Sequence, residues 1–134
     1  MGFMSWDQKF VIGIKEVDEQ HKKLVNMINQ LYDAMKAGKG REVIDDILKE
    51  LARYTDYHFK TEEKYMEKYK YPDVEAHKKQ HRDFVNKVND FIDKKAKGQV
   101  TLTIEVMNFL KDWLAGHILG TDKKMGEFLQ KFMG

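Results

Sequence analysis

Tyr57-His58-Phe59-Lys60-Thr61-Glu62-Glu63 and, further along, His77-Lys78-Lys79-Gln80-His81 decide how this chain is read. Each segment sets two metal-competent side chains four residues apart. On an α-helix a four-residue step turns about 400°, so such a pair returns to one face about 6 Å along the axis. His58 with Glu62, and His77 with His81, can therefore each grip an ion from a single helix. His21, His117 and Asp122 are three further candidates, and the constellation then uses all five histidines of the chain.

Helical patterning surrounds both segments. Asp18 is a favoured N-cap, and from there Val17, His21, Leu24, Ile28, Leu31 and Met35 fall on one stripe that Gly38 and Gly40 bring to an end. The helix carrying the first segment turns Ile47, Leu51, Tyr54, His58, Glu62 and Tyr65 inward. It stops before Tyr71-Pro72, because proline disfavours helix in the residue before it. Asp73 can cap the third helix, with Val74, His77, His81, Phe84, Val88 and Phe91 inward and Gly98 closing it. A fourth begins near Thr101 or Thr103 and points Val106, Leu110, Trp113 and His117 inward. A tail helix over roughly 123–132 offers Met125, Phe128, Leu129 and Phe132. Residues 1–17, with Phe3, Trp6, Phe10, Val11, Ile12 and Ile14 around Gly13, lack helical spacing and read as an arm packed on the rest.

Four amphipathic helices joined by short turns predict an all-α, antiparallel up-down-up-down four-helix bundle with an N-terminal arm and a short C-terminal helix. At 134 residues the whole chain, 1–134, is expected to form one domain. Loop arithmetic then places the candidates. His21 lies 17 residues before Gly38 and His58 lies 18 after Gly40. Both are thus about 26 Å from that turn. His81 and His117 stand at matching distances from Gly98, while Glu62 and His77 lie close to the opposite turn. Antiparallel packing brings them all to one level, near one end of the bundle.

Composition narrows the chemistry. With 24 basic and 22 acidic residues the net charge is +2, which argues against a nucleic-acid grip. Lysine pairs such as Lys22-Lys23 and Lys123-Lys124 read as solvated helix faces. No cysteine is present, so metal must be held through nitrogen and oxygen. The N-terminus lacks a basic region followed by an apolar run, and no stretch approaches a membrane span, so a soluble cytoplasmic protein, acting as a monomer, is expected.

A lone inward histidine is usually a satisfied core residue. Five at one height, beside Glu62, are different, since burying each without a partner costs roughly 1–3 kcal/mol. Glu63 points about 100° away from Glu62 and is expected to be a surface charge. Asp122 follows His117 by five residues, about 500° on an ideal helix. Both face inward only if the helix ends or loosens between them, where Gly120 lies. Five imidazoles and two carboxylates are too many donors for one first-row ion and suit two ions bridged by the carboxylates. Iron fits the donors, with zinc and manganese left open on affinity alone. Bundle di-iron oxidases use four carboxylates and paired Glu-x-x-His motifs, and this chain has no Glu-x-x-His. So many neutral donors favour iron(II) and reversible oxygen binding over oxygen activation.

The pattern His21, His58-x-x-x-Glu62, His77-x-x-x-His81 and His117-x-x-x-x-Asp122 resembles that of the hemerythrins, specifically the single-domain bacterial ones. The arm is similar too, in Trp6-Asp7, Phe10-Val11-Ile12-Gly13-Ile14 and Val17-Asp18-x-Gln20-His21. The resemblance implies two iron ions: His77, His81 and His117 on a coordinatively full iron, and His21 and His58 on one with an open position. Glu62 and Asp122 would bridge them, with an oxo or hydroxo oxygen as third bridge. It implies dioxygen as the ligand, bound at the open position, and an apolar wall that keeps water away, for which Leu114, Ile118, Trp113 and Phe59 are candidates.

Oxygen carriage, storage, delivery to an oxygen-using enzyme and sensing all follow from such a centre. Two other readings compete: an enzyme acting on peroxide, nitric oxide or oxygen, and a metal store or regulatory module. Oxygen titration with repeated deoxygenation separates the first from both.

Overall fold

The computed structural model describes residues 4–39, 41–98 and 103–133. A 3-10 turn, Gln8–Phe10, leads into five α-helices: α1, Lys15–Lys36; α2, Arg41–Lys68; α3, Val74–Ala96; α4, Ile104–Gly116; and α5, Lys123–Met133. A single π-helical turn, His117–Asp122, joins α4 to α5. The first four α-helices make the four-helix bundle, with α1 packed against α2 and α4, and α2 against α3. Among the described residues no strand is present, and no helix is long and apolar enough to cross a membrane. Phe3, Gly40 and Thr101, which enter the sequence-based expectations, lie outside the described residues.

Local chemistry sets the boundaries. Gly38, at φ +69°, ends α1: its N–H reaches Met35 O at 3.2 Å and the Lys39 N–H reaches Ala34 O at 3.0 Å, the paired bonds of a Schellman cap. Lys70 takes the same left-handed position after α2, at φ +58°, with Tyr71 N bonded to Met66 O at 2.9 Å. Thr103 caps α4 by accepting from Val106 N at 3.3 Å.

Two caps differ from expectation. α1 starts at Lys15, so Asp18 lies within its first turn. Its carboxylate accepts instead from Ile12 N at 2.8 Å and Gly13 N at 3.1 Å. The amide of buried Ile12 would otherwise lack an acceptor, and satisfying it outweighs a helix cap. Asp73 occupies the N-cap position of α3 but makes no capping bond, its carboxylate turning to Lys124 Nζ at 2.7 Å.

The core also differs in detail. On α2 the buried residues are Leu48, Leu51, Thr55, His58, Phe59, Glu62 and Met66, whereas Ile47, Tyr54 and Tyr65 are half-buried. α2 packs against α1 and α3 at once, so its buried arc is wider than one stripe. On α4, Met107 and Leu114 are buried and Val106 and Trp113 half-buried.

Candidate metal centre

All seven predicted residues converge. His21 comes from α1, His58 and Glu62 from α2, His77 and His81 from α3, and His117 and Asp122 from the two ends of the π-turn. None is more than 4% exposed. The π-turn resolves the spacing problem at Asp122: its i→i+5 repeat returns residues five apart to one face, which an α-turn does not.

The donors form two groups that share both carboxylates. Glu62, His77, His81, His117 and Asp122 offer atoms all within 4.8 Å of one another, as do His21, His58, Glu62 and Asp122. Each carboxylate divides its oxygens between the groups. Glu62 Oε1 lies 3.2 Å from His77 Nε2 and 3.0 Å from His81 Nε2, while Oε2 lies 3.2 Å from His21 Nε2 and 3.1 Å from His58 Nε2. Asp122 Oδ1 stands 3.0 Å from His77 Nε2 and 3.1 Å from His117 Nε2, and its Oδ2 stands 3.0 Å from His21 Nε2.

These contacts are close without being well made. Both Asp122 oxygens and His58 Nε2 are buried with no aligned hydrogen bond among the described residues. His81 and His117 bring their Nε2 atoms within 3.1 Å of each other. Lone pairs aimed at common points rather than at protons are what cations require, so the donor set fits a pair of metal ions.

Electrostatics agree. Burial works against charge on His21, yet hydrogen bonds to Asp122 and Glu62 raise its pKa to about 9. At His117 the same opposition ends at about 10, the Asp122 charge being the main cause of the rise. His58 is held below its usual range because burial outweighs the Glu62 carboxylate. Burial would raise Asp122 and Glu62, but the surrounding imidazoles hold both well below the usual carboxylate range. Four of these groups depend on opposite charge supplied inside the cluster.

Behind the inner nitrogens stands a second ring of side chains that sequence reasoning missed. His58 Nδ1 lies 2.6 Å from Gln20 Oε1, His117 Nδ1 2.9 Å from Gln80 Oε1, and His81 Nδ1 2.9 Å from Glu63 Oε2. An acceptor at Nδ1 holds the proton there and turns Nε2 inward as a lone pair. Glu63 is therefore not the free surface charge expected. α3 crosses beside α2 so that residues 100° apart on α2 both reach histidines of α3. The available signal was a glutamine next to two of the five candidate histidines, Gln20 before His21 and Gln80 before His81.

The four apolar candidates fall in two places. Phe59 stacks on the His81 ring, centroids 3.9 Å apart and 2° from parallel, and Trp113 stacks on His117 at 4.5 Å and 13°. Ile118 is fully buried beside His117. Leu114 lines a cavity of about 20 Å³ with Leu24, Leu51, Thr55 and Phe84. Leu24, Thr55 and Leu114 are each three residues from His21, His58 and His117, so the cavity lies one helical turn from the donors.

A family model, the hemerythrin HHE cation binding domain, matches residues 12–129. The bacteriohemerythrin of Methylococcus capsulatus is 35% identical over 130 residues, covering 96% of this chain and 98% of that protein. That of Pseudomonas aeruginosa strain LESB58 is 36% identical over 122 residues, 91% of this chain and 78% of that protein. A crystal structure of wild-type hemerythrin superposes with a TM-score of 0.88 at 34% identity, over 95% of this chain and 98% of that one.

Proposed function

The chain belongs to the hemerythrin family, and on that premise we propose that it binds dioxygen reversibly at a non-haem di-iron centre, in oxygen carriage, storage, delivery or sensing. The observation that carries this reading is the division of Glu62 and Asp122, each giving one oxygen to a three-histidine group and the other to the His21 side.

His77, His81 and His117 would hold one iron and His21 and His58 the other, with both carboxylates bridging. The first position then has five protein donors and the second four, so the exchangeable place belongs on the His21–His58 side. When bound, the iron pair supplies the two electrons that reversible capture of oxygen needs. The protein contributes the rest. Five imidazoles against two carboxylates favour the ferrous state, and the outer acceptors Gln20, Gln80 and Glu63 keep three of the rings oriented.

Phe59, Trp113, Ile118 and Leu114 close the surroundings to water, which protects a reduced site from irreversible oxidation. We read the protein as a carrier rather than an enzyme. The Leu114 cavity, about 20 Å³ and almost wholly apolar in its lining, has room for one very small molecule.

The test is the absorption spectrum of the anaerobically reduced, iron-loaded protein before and after oxygen. A new visible band that disappears on deoxygenation, over several cycles, is expected. Oxidation in one step with no return, or steady oxygen consumption with a reductant, would overturn the carrier reading.

A further inference from the structure

Burial of the seven donors poses a transport problem. Metal has to cross a shell in which none of them is more than 4% exposed. The clefts beside α1 and α2 and the apolar groove between α3 and α4 touch none of the seven. A crevice of about 420 Å³ between the start of α3 and the π-turn does, because His77 lines it.

Its construction suits a cation. At the mouth Asp73 makes no capping bond to α3 and faces Lys124 Nζ at 2.7 Å. Further in, Gln80 Oε1 accepts from Thr121 Oγ1 at 3.0 Å and lies 2.9 Å from His117 Nδ1. On the inner side His77 is 2% exposed, and its Nδ1 is buried with no hydrogen-bond partner among the described residues. The opposite wall is the π-turn, where Gly120 presents no side chain and a Cβ would meet nothing within 4 Å. That turn carries His117 and Asp122 at its ends, so loosening it shifts two of the seven donors together.

We infer that this crevice is the passage by which divalent metal reaches and leaves the centre, with Asp73, Gln80 and His77 as successive donors. Lys124 neutralises Asp73 until an arriving cation replaces it. Oxygen donors come first, where the ion still carries water, and nitrogen follows where it has shed more of it. The inference rests on the di-iron reading.

The experiment follows iron release from the reduced holoprotein to a ferrous chelator, at concentrations where the rate no longer depends on chelator. Ala76 is exposed and lines the crevice, so Ala76→Trp fills the mouth without touching the core. It should slow release several-fold at unchanged iron content and unfolding midpoint. Ala76→Leu, the milder plug, should slow it less, and keeps the test intact should the tryptophan variant misfold. Lys124→Ala should speed release, and Lys79→Trp, exposed on the same helix but outside the crevice, should leave it unchanged. Parent-like release from both Ala76 variants overturns the passage. Protein that never holds two irons would instead overturn the di-iron reading, a result visible in the metal analysis before any rate is measured.

Discussion

Glu63 Oε2 lies 2.9 Å from Nδ1 of His81, on the outer side of a ring whose Nε2 stands 3.0 Å from Glu62 Oε1. Neighbouring glutamates of one helix thus hold opposite edges of one imidazole. A carboxylate acceptor strengthens the donor power of the nitrogen it does not touch, and losing such a partner typically costs about 10–100-fold in metal affinity. Glu63→Ala should therefore retain iron more weakly than the parent in competition with a chelator, with Glu63→Gln in between. Equal retention in all three would show that the contact is incidental.

Asp122 supplies one oxygen to each donor group. Asp122→Ala should leave the three histidines of one group able to hold a single ion, and iron per chain should fall from two toward one. Metal analysis with protein quantitation decides it. Two irons in the variant would remove Asp122 from the bridge.

Leu114→Ala should enlarge the existing cavity. Truncating a buried leucine costs about 2–5 kcal/mol in stability. Water admitted there should also hasten loss of the oxygenated state, so its absorption band should decay faster at full iron content. An unchanged decay rate in folded, metallated variant protein would confine Leu114 to core packing.

The metal-free protein should respond to pH in a definite sense. His21 and His117 have folded-state pKa values raised to about 9 and about 10, so the stability they contribute is complete below about 6.5 and lost as pH rises through those values. Asp122 and Glu62 are depressed, so their contribution is present above about 4.5 and lost as pH falls toward strong acid. Thermal unfolding of the metal-free chain should show a midpoint that drops between about pH 6.5 and 10, and the drop should vanish once metal replaces the protons. A flat midpoint over that range would mean the imidazoles are neutral throughout.

Lys70 holds the left-handed position after α2 at φ +58°. Lys70→Gly relieves that strain against a larger unfolded-state entropy, for a net gain of about 0.5–1 kcal/mol in denaturant unfolding. A loss of stability would show that the lysine side chain contributes more than its backbone costs.

Much of this molecule was legible in one dimension because helices are local. The i, i+4 pairs His58/Glu62 and His77/His81, the glycines at 38 and 98, and proline at 72 follow from contacts within a turn or two. Counting residues from each turn then placed the histidines at one height. Even the break between His117 and Asp122 could be inferred, since an α-helix cannot turn both inward, although its form as a π-turn could not.

Tertiary structure decided what lies across helices. A period of 3.6 residues leaves the rotation of each helix uncertain by about a residue, or 100°. That margin separates Met66 from Tyr65 in the core, and Glu63 as a partner of His81 from Glu63 as a surface charge. Gln20 lies beside His21 in sequence yet holds His58, and Gln80 lies beside His81 yet holds His117, because side chains at the edge of a buried arc reach the neighbouring helix. The sequence by itself determined that the seven donors meet; helix rotation and crossing, set by packing, decided which side chains stand behind them and which atom of each faces which.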